Sequence, residues 1–267
     1  MRRGGVFFGV FIVLLGAVLL AINLGYVDSR IWNFFWPVLL VLLGVWFISR
    51  PRRWMHAGTY TAEQASFPVE SATEGEIQVH YGAGRLQISA SNNPAELAGG
   101  SFVGGVLSDR TMQGSKVVLT LRTPSERVWE GPWAAGEQGF EWKLGINPQI
   151  PLDLHLHTGA NEEILNLSDT HVRSLVLETG ASKTDITLPS AAGYTRATVK
   201  SGLASMNLMI PMGVAASISV NAGLSGVKVN ESRFPHVGGR YESPDYASAS
   251  NKAEIFVESG LGSVDIN

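Results

Sequence analysis

One glycine-centred phrase recurs along the chain. It reads HYGAGRLQIS around Gly82, HTGANEEILNLS around Gly159, ETGASKTDITLP around Gly180, KSGLASMNLMIP around Gly202 and ESGLGSVDIN around Gly260, with a further copy at Gly223. Three residues before the glycines stand Val79, Leu156, Leu177, Val199, Val220 and Val257. Five before stand Ile77, Leu154, Leu175, Ala197, Ile218 and Ile255. Two before, every residue is polar: His80, His157, Glu178, Lys200, Asn221 and Glu258. This alternation marks strands with one buried face. After the glycine a second apolar pair follows: Leu86/Ile88, Ile186/Leu188, Leu208/Ile210, Val227/Val229 and Val264/Ile266, with Leu165 and Leu167 in that place after Gly159.

The middle glycines are 21, 22 and 21 residues apart. A fixed period near 20 residues signals stacked repeats, because one short unit cannot bury its apolar face alone. The expected fold class is therefore all-β, a right-handed β-solenoid of stacked repeats over 76–267. The repeat glycines serve as corners, where positive φ or close backbone approach is needed. Pro189 and Pro211 fall where a strand ends and no ladder N–H is required. Two stretches break the period, between Gly82 and Gly159 and between Gly223 and Gly260. In the first the pattern predicts strands near 96–103, 116–122 and 140–146, and an exposed loop near 123–139. Insertions in a stack go to one side, often the interacting side.

The N-terminus is a different material. No charged residue occurs from Gly4 to Val27 or from Ile31 to Ser49. A bilayer core of roughly 30 Å needs about 20 apolar residues in helix. Residues 1–50 therefore read as a transmembrane hairpin, with helices about 5–26 and 31–49. The competing reading, a signal peptide before a buried helix, lacks a convincing small-residue cleavage site. Arg2 and Arg3 precede the first run, and Arg50, Arg52 and Arg53 follow the second. Positive flanks prefer the cytoplasmic side, so both ends and the β-domain are expected inside. Gly5, Gly9, Gly16 and Gly44 would let these helices pack closely against each other or against a partner's helices. Residues 51–75 show no period and read as a juxtamembrane linker, whose arginines suit anionic lipid headgroups.

The Trp36-Pro37 pair and the Leu42-Leu43-Gly44 run resemble the membrane region of LiaF-like proteins. The stretch NPQIPLDLHLHTGANEEILNLSDTHVRSLVLETGASKTDITLP resembles that family's C-terminal toast-rack domain, which has relatives among PspC-like envelope proteins. The resemblance implies a membrane regulator of a bacterial cell-envelope stress response, acting with a sensor kinase. It supplies no catalytic motif.

The residues themselves argue against an enzyme. There is no cysteine, which removes thiol catalysis and Cys-ligated zinc. The net charge of −3 gives no pull toward nucleic acid. Asp153, His155 and His157 share one strand face and could ligate a metal, with His171 as a remote fourth; a solvated strand face is the better explanation, because no further ligand lies at a persuasive spacing. GxG in YGAGR and GLGSV precedes a strand rather than a helix, which excludes a dinucleotide cradle. Glu162 and Glu163 are adjacent and point apart, so they make no acid–base pair. No cofactor is expected.

Candidate protein contacts lie in the insertions: Trp129, Trp133 and Trp142 in the first, Tyr241 and Tyr246 in the second. For the tryptophans the competing role is a small core capping the stack. The last repeat ends at Asn267 and is expected to expose a strand edge, open to another copy or a partner unless residues 233–250 fold over it. The expected function is a membrane-anchored, non-enzymatic regulator or scaffold working through protein contacts. The alternative is a self-assembling scaffold tethered to the membrane.

Overall fold

A computed structural model describes residues 62–124 and 140–267, together with Val41. The chain divides into two units, Met1–Met55 and His56–Asn267. Apart from Val41, both expected transmembrane helices, with Gly5, Gly9, Gly16 and Gly44, lie outside the described residues, as do Trp129 and Trp133.

The described residues of the second unit are all β, with no helix among them. Six long strands form its body: β2 (Glu74–Ala90), β7 (Leu152–Asn166), β8 (Val172–Thr187), β9 (Tyr194–Met209), β10 (Ala215–Val229) and β13 (Lys252–Ile266). They pair in parallel in the order β2-β7-β8-β9-β13-β10. Each is interrupted at its glycine. Tyr81 pairs with Thr158 and Ala83 with Ala160, but the Gly82–Gly159 pair between them is skipped. The same gap recurs through the stack, so each strand is two arms joined at a corner.

The corner glycines do not have positive φ. Their need is close approach. A Cβ on Gly159 would lie 2.3 Å from the carbonyl oxygen of Gly82, and one on Gly260 would lie 2.6 Å from that of Gly202. Positive φ falls instead at the second glycine of each GxG, Gly84 (φ 131) and Gly262 (φ 135). Those two motifs are therefore used by the backbone of the corner.

Apolar columns run through the stack. Ile77, Leu154, Leu175, Ala197, Ile255 and Ile218 are adjacent in register and all buried. On the second arm Ile88, Leu165, Ile186, Leu208 and Ile266 form another buried column. Full burial of one such side chain is worth about 1.5–3 kcal/mol, and stacking is the only way these short units obtain it. The ladder also corrects the sequence alignment by one step. Ile186 sits beside Leu165 and thus in the column of Ile88, not of Leu86. The slot of Leu86 is held by Glu163 and Thr184 in the next two coils.

At the β2 end the stack is covered. The first arm of β2 pairs with β5 (Lys116–Arg122), which carries β4 (Leu107–Gln113). The second arm pairs with β6 (Glu141–Ile146), followed by β3 (Glu96–Val103) and β1 (Ala62–Pro68). β3, β5 and β6 follow the sequence reading closely. β4 does not: its exposed LSDRTMQ lacks strict apolar alternation. β1 corrects the expected linker, because residues 62–68 form a strand against β3. Only alternate residues of it are partly covered, so its apolar signal is faint.

The C-terminal strand brings the main correction. β13 does not end the stack. It is inserted between β9 and β10, bonded along its length to both. β10 is the last coil, and β12 (Arg240–Glu242) with β11 (His236–Val237) covers only its first arm, at Ser217 and Ile218. Residues 233–250 therefore fold over β10 rather than over the chain's end.

Candidate interaction surface

The corners align into a groove of about 900 Å³. Its rim is formed by the row of residues two before the glycines from His157 onward, and His80 continues that row beyond it. His80, His157, Glu178, Lys200, Glu258 and Asn221 stand side by side across six coils. The His80 and His157 rings stack at 5.1 Å, nearly parallel. Glu178 lies 3.2 Å from His157 Nδ1 and 3.8 Å from Lys200 Nζ. Burial, then the neighbouring His157 and Arg122, holds His80 below the usual imidazole range. The rim thus pairs polar and charged groups along its own length, and an exposed ion pair such as Lys200–Glu178 contributes about 0–1 kcal/mol.

Below the rim runs a row of hydroxyls: Thr158, Thr179, Ser201 and Ser259. Ser259 bonds Ser225 at 2.9 Å, and Thr158 donates to Glu163. The Ser201 hydroxyl is buried with no partner among the described residues, and that of Thr179 lies against the Glu163 carboxyl.

Beyond the corner a third row changes in character along the stack. Ala83, Ala160 and Ala181 are followed by Leu203, Leu261 and Leu224. The three leucines are exposed, Leu224 most of all at 82%. This apolar strip ends at the second arm of β10, which pairs with β13 on one side and with no described strand on the other. The interior is open there too. In one column Met206 and Val264 are 2% and 1% exposed, whereas Val227 at its end is 38% exposed. Sequence reasoning placed the open edge at β13 because that strand comes last in the chain.

Residues singled out in the sequence fall in several places. Trp142 is not a contact residue: it is fully buried, 4.9 Å from the Tyr81 ring and 5.1 Å edge-on to Phe102, in the core covering β2. Tyr241 is half-buried beside His236, and the Lys252 ammonium lies 5.7 Å from the ring of half-buried Tyr246. Asp153 and Glu76 both hold Lys116 Nζ, at 2.9 and 2.7 Å. This pairing keeps Glu76 below its ordinary range. His171 Nδ1 sits 2.8 Å from the Pro148 carbonyl. Asp153, His155, His157 and His171 do not converge, and no group of three His, Asp or Glu among the described residues is arranged to hold a metal.

Glu162 and Glu163 point apart as expected, but to very different surroundings. Glu162 is outside, 2.8 Å from Arg85 Nη2. Glu163 is inside and completely buried. Thr158 and Thr184 donate to its two oxygens, the latter at 2.8 Å. Burial pushes its pKa up, while hydrogen bonds from its neighbours partly oppose this.

Fold and surface together define a glycine-cornered β-repeat domain with an exposed apolar strip at one end. Residues 56–209 match the family described as the N-terminal domain of toast_rack, DUF2154, and residues 6–48 match the LiaI-LiaF-like transmembrane region. The chain belongs to the toast-rack family: it is a LiaF-like membrane protein carrying a toast-rack domain. Among solved structures it is similar in fold to a proposed cell adhesion protein from Clostridium sporogenes. Identity is 20%, TM-score 0.69, and the match covers 77% of this chain and 97% of that one. A proposed adhesin from Bacteroides fragilis aligns at 8% identity with a TM-score of 0.28 over the same shares. No curated protein matches the chain.

Proposed function

We propose that this protein is a membrane-anchored, non-enzymatic regulator in a bacterial envelope-stress response, and that it works through protein–protein contacts made by the uncovered end of its β-stack. The observation that carries this reading is the second arm of β10, where the Leu203–Leu261–Leu224 strip meets a strand edge that no described strand pairs with. An exposed edge beside apolar side chains is a template for strand addition. The family assignment supports the membrane context, and the LiaF-like resemblance supports a sensor kinase as partner. In this reading two helices near 5–26 and 31–49 cross the membrane, and the positive flanks leave the β-domain cytoplasmic.

The chain has no cysteine, so single cysteines introduced at Ser225 or Lys228 are unique handles. Crosslinking from these sites in intact membranes, followed by pull-down, should trap a membrane signalling protein. Labelling that gives no adduct from either site, while a control cysteine in β4 behaves the same, removes the reading. A self-assembling scaffold is the second reading, favoured by the same strip. It predicts adducts between identical chains and a particle size that grows with concentration.

A further inference from the structure

We propose that the interior compartment around Glu163 is a binding site for a monovalent hard cation of the sodium class. The proposal does not depend on the regulatory reading above. It starts from a local break in the repeat. The column that holds Leu86, Met206, Val264 and Val227 in other coils holds Glu163 and Thr184 in β7 and β8. Breaks in an otherwise consistent pattern are where function is sought.

Glu163 is 0% exposed, and no described lysine, arginine or histidine pairs with it. A buried carboxylate without a counter-charge is strongly disfavoured. Buried Leu86 flanks it on one side in the register, and the polar groups that reach it are hydroxyls and an amide. Thr158 and Thr184 donate to it, and Thr179 and Asn161 lie against the same carboxyl. Asn161 and Thr179 are each 7% exposed, and beyond the Glu163 carboxyl they lie against, the Asn161 amide and the Thr179 hydroxyl find no hydrogen-bond partner among the described residues. Buried polar atoms in native proteins are nearly always satisfied, and an ion or water is a recognised reason when protein groups do not suffice.

The donor chemistry selects the ion. Carboxylate, amide oxygen and hydroxyl are hard ligands, suited to hard cations and not to zinc or copper. A single carboxylate balances one positive charge, whereas a divalent ion would leave an excess charge buried. Access is short, because Thr158 and Thr179 also line the corner groove. The ion would replace the missing counter-charge and take the Asn161 amide oxygen and the Thr179 hydroxyl oxygen as ligands.

The test is thermal unfolding of the full-length chain in detergent, at mildly alkaline pH. Sodium, potassium, calcium and choline chlorides are compared at matched ionic strength. A ligand that binds only the folded state raises the melting temperature with its concentration. The expected result is a rise with sodium that choline does not reproduce. Glu163→Gln should abolish it, and Thr179→Val should shift it to higher sodium concentration. Thr179→Val keeps the carboxyl and serves if Glu163→Gln fails to fold. Equal melting in sodium, potassium and choline overturns the proposal. So does a dependence on pH alone, which would make a proton the occupant, or stabilisation by calcium above sodium, which would break the charge-matching argument. A sodium effect that survives unchanged in Thr179→Val and Glu163→Gln places the ion elsewhere and also overturns it.

Discussion

The two ends of the β-stack are built from the same coil, yet one is closed and the other is not. At the β2 end both arms are covered by further strands, and Tyr81, Phe102 and Trp142 pack in the space between them. At the β10 end, among the described residues, a short hairpin covers the first arm only. Leu224 and Val227 remain exposed on the second. Stacked-repeat proteins require capping at their ends because a terminal coil has a neighbour on one side only. The difference teaches that the first end is packed as a core, whereas the second leaves apolar side chains in water. Lys228, on the bare arm, fits this division, since a charged side chain on an edge discourages indiscriminate strand pairing.

The comparison can be broken most sharply at the covered end. Trp142→Ala removes the largest fully buried side chain there and should cost about 3–5 kcal/mol. Denaturant unfolding of the full-length chain in detergent measures this directly. A loss below about 1 kcal/mol, the scale of an ordinary surface change, would mean that the cap is not a packed core.

The next contrast sets two glycines against each other. Gly159→Ala drives a methyl to within 2.3 Å of a backbone oxygen and should cost roughly 1–3 kcal/mol as overpacking. Gly226→Ala, on the bare arm, meets nothing within 4 Å and should stay within about 0.5 kcal/mol of wild type. Equal effects in the same unfolding assay would deny that the corner column is the tight part of the stack.

A pH series sharpens the role of the interior. Burial raises the folded-state pKa of Glu163 above its ordinary value. The stabilisation that goes with proton uptake is then complete below the ordinary carboxyl value and is lost as pH rises through the raised one. In choline chloride, wild type should therefore lose stability relative to Glu163→Gln across that window. Parallel curves for the two proteins would show that the carboxyl has the same affinity for a proton folded and unfolded.

The smallest effect on stability belongs to the open end. Leu224→Asp should alter unfolding by less than about 0.5 kcal/mol, because the side chain is already in water. Its effect should appear in crosslinking yield from the Ser225 handle, which falls. A large loss of stability with no change in crosslinking would turn the comparison around and make Leu224 part of the core.

Much of the architecture was legible because alternation and the glycine phrase are local signals. The buried columns of Ile77 and Val79, the glycine corners and the strands β3, β5 and β6 all show in the residue pattern. The interior cell around Glu163 was nearly legible. The signal was the absence of an apolar residue four after Gly159 and Gly180, and aligning Ile186 with Leu86 concealed it. Trp142 could not be assigned from sequence, since an insertion tryptophan fits a cap or a contact equally until its neighbours are known.

The sequence by itself determined the coil: two arms, a corner that excludes a side chain, and an apolar face that must be stacked. Tertiary structure decided the order of coils. Val199, Val257 and Val220 are chemically the same residue in three successive slots, as are Leu203, Leu261 and Leu224. Nothing in such a pattern says which copy lies beside which. The intervening segment 230–251 lets the final strand enter between β9 and β10, where it bonds on both sides: Ile210 N–H donates to the Asn267 carbonyl at 2.8 Å and Asn230 N–H to that of Ile266 at 2.9 Å. Both of its edges are satisfied there, and the unsatisfied edge is passed to β10. Hydrogen bonding between interchangeable repeats thus places the open surface, because each local pattern fits every slot and only the assembled ladder distinguishes them.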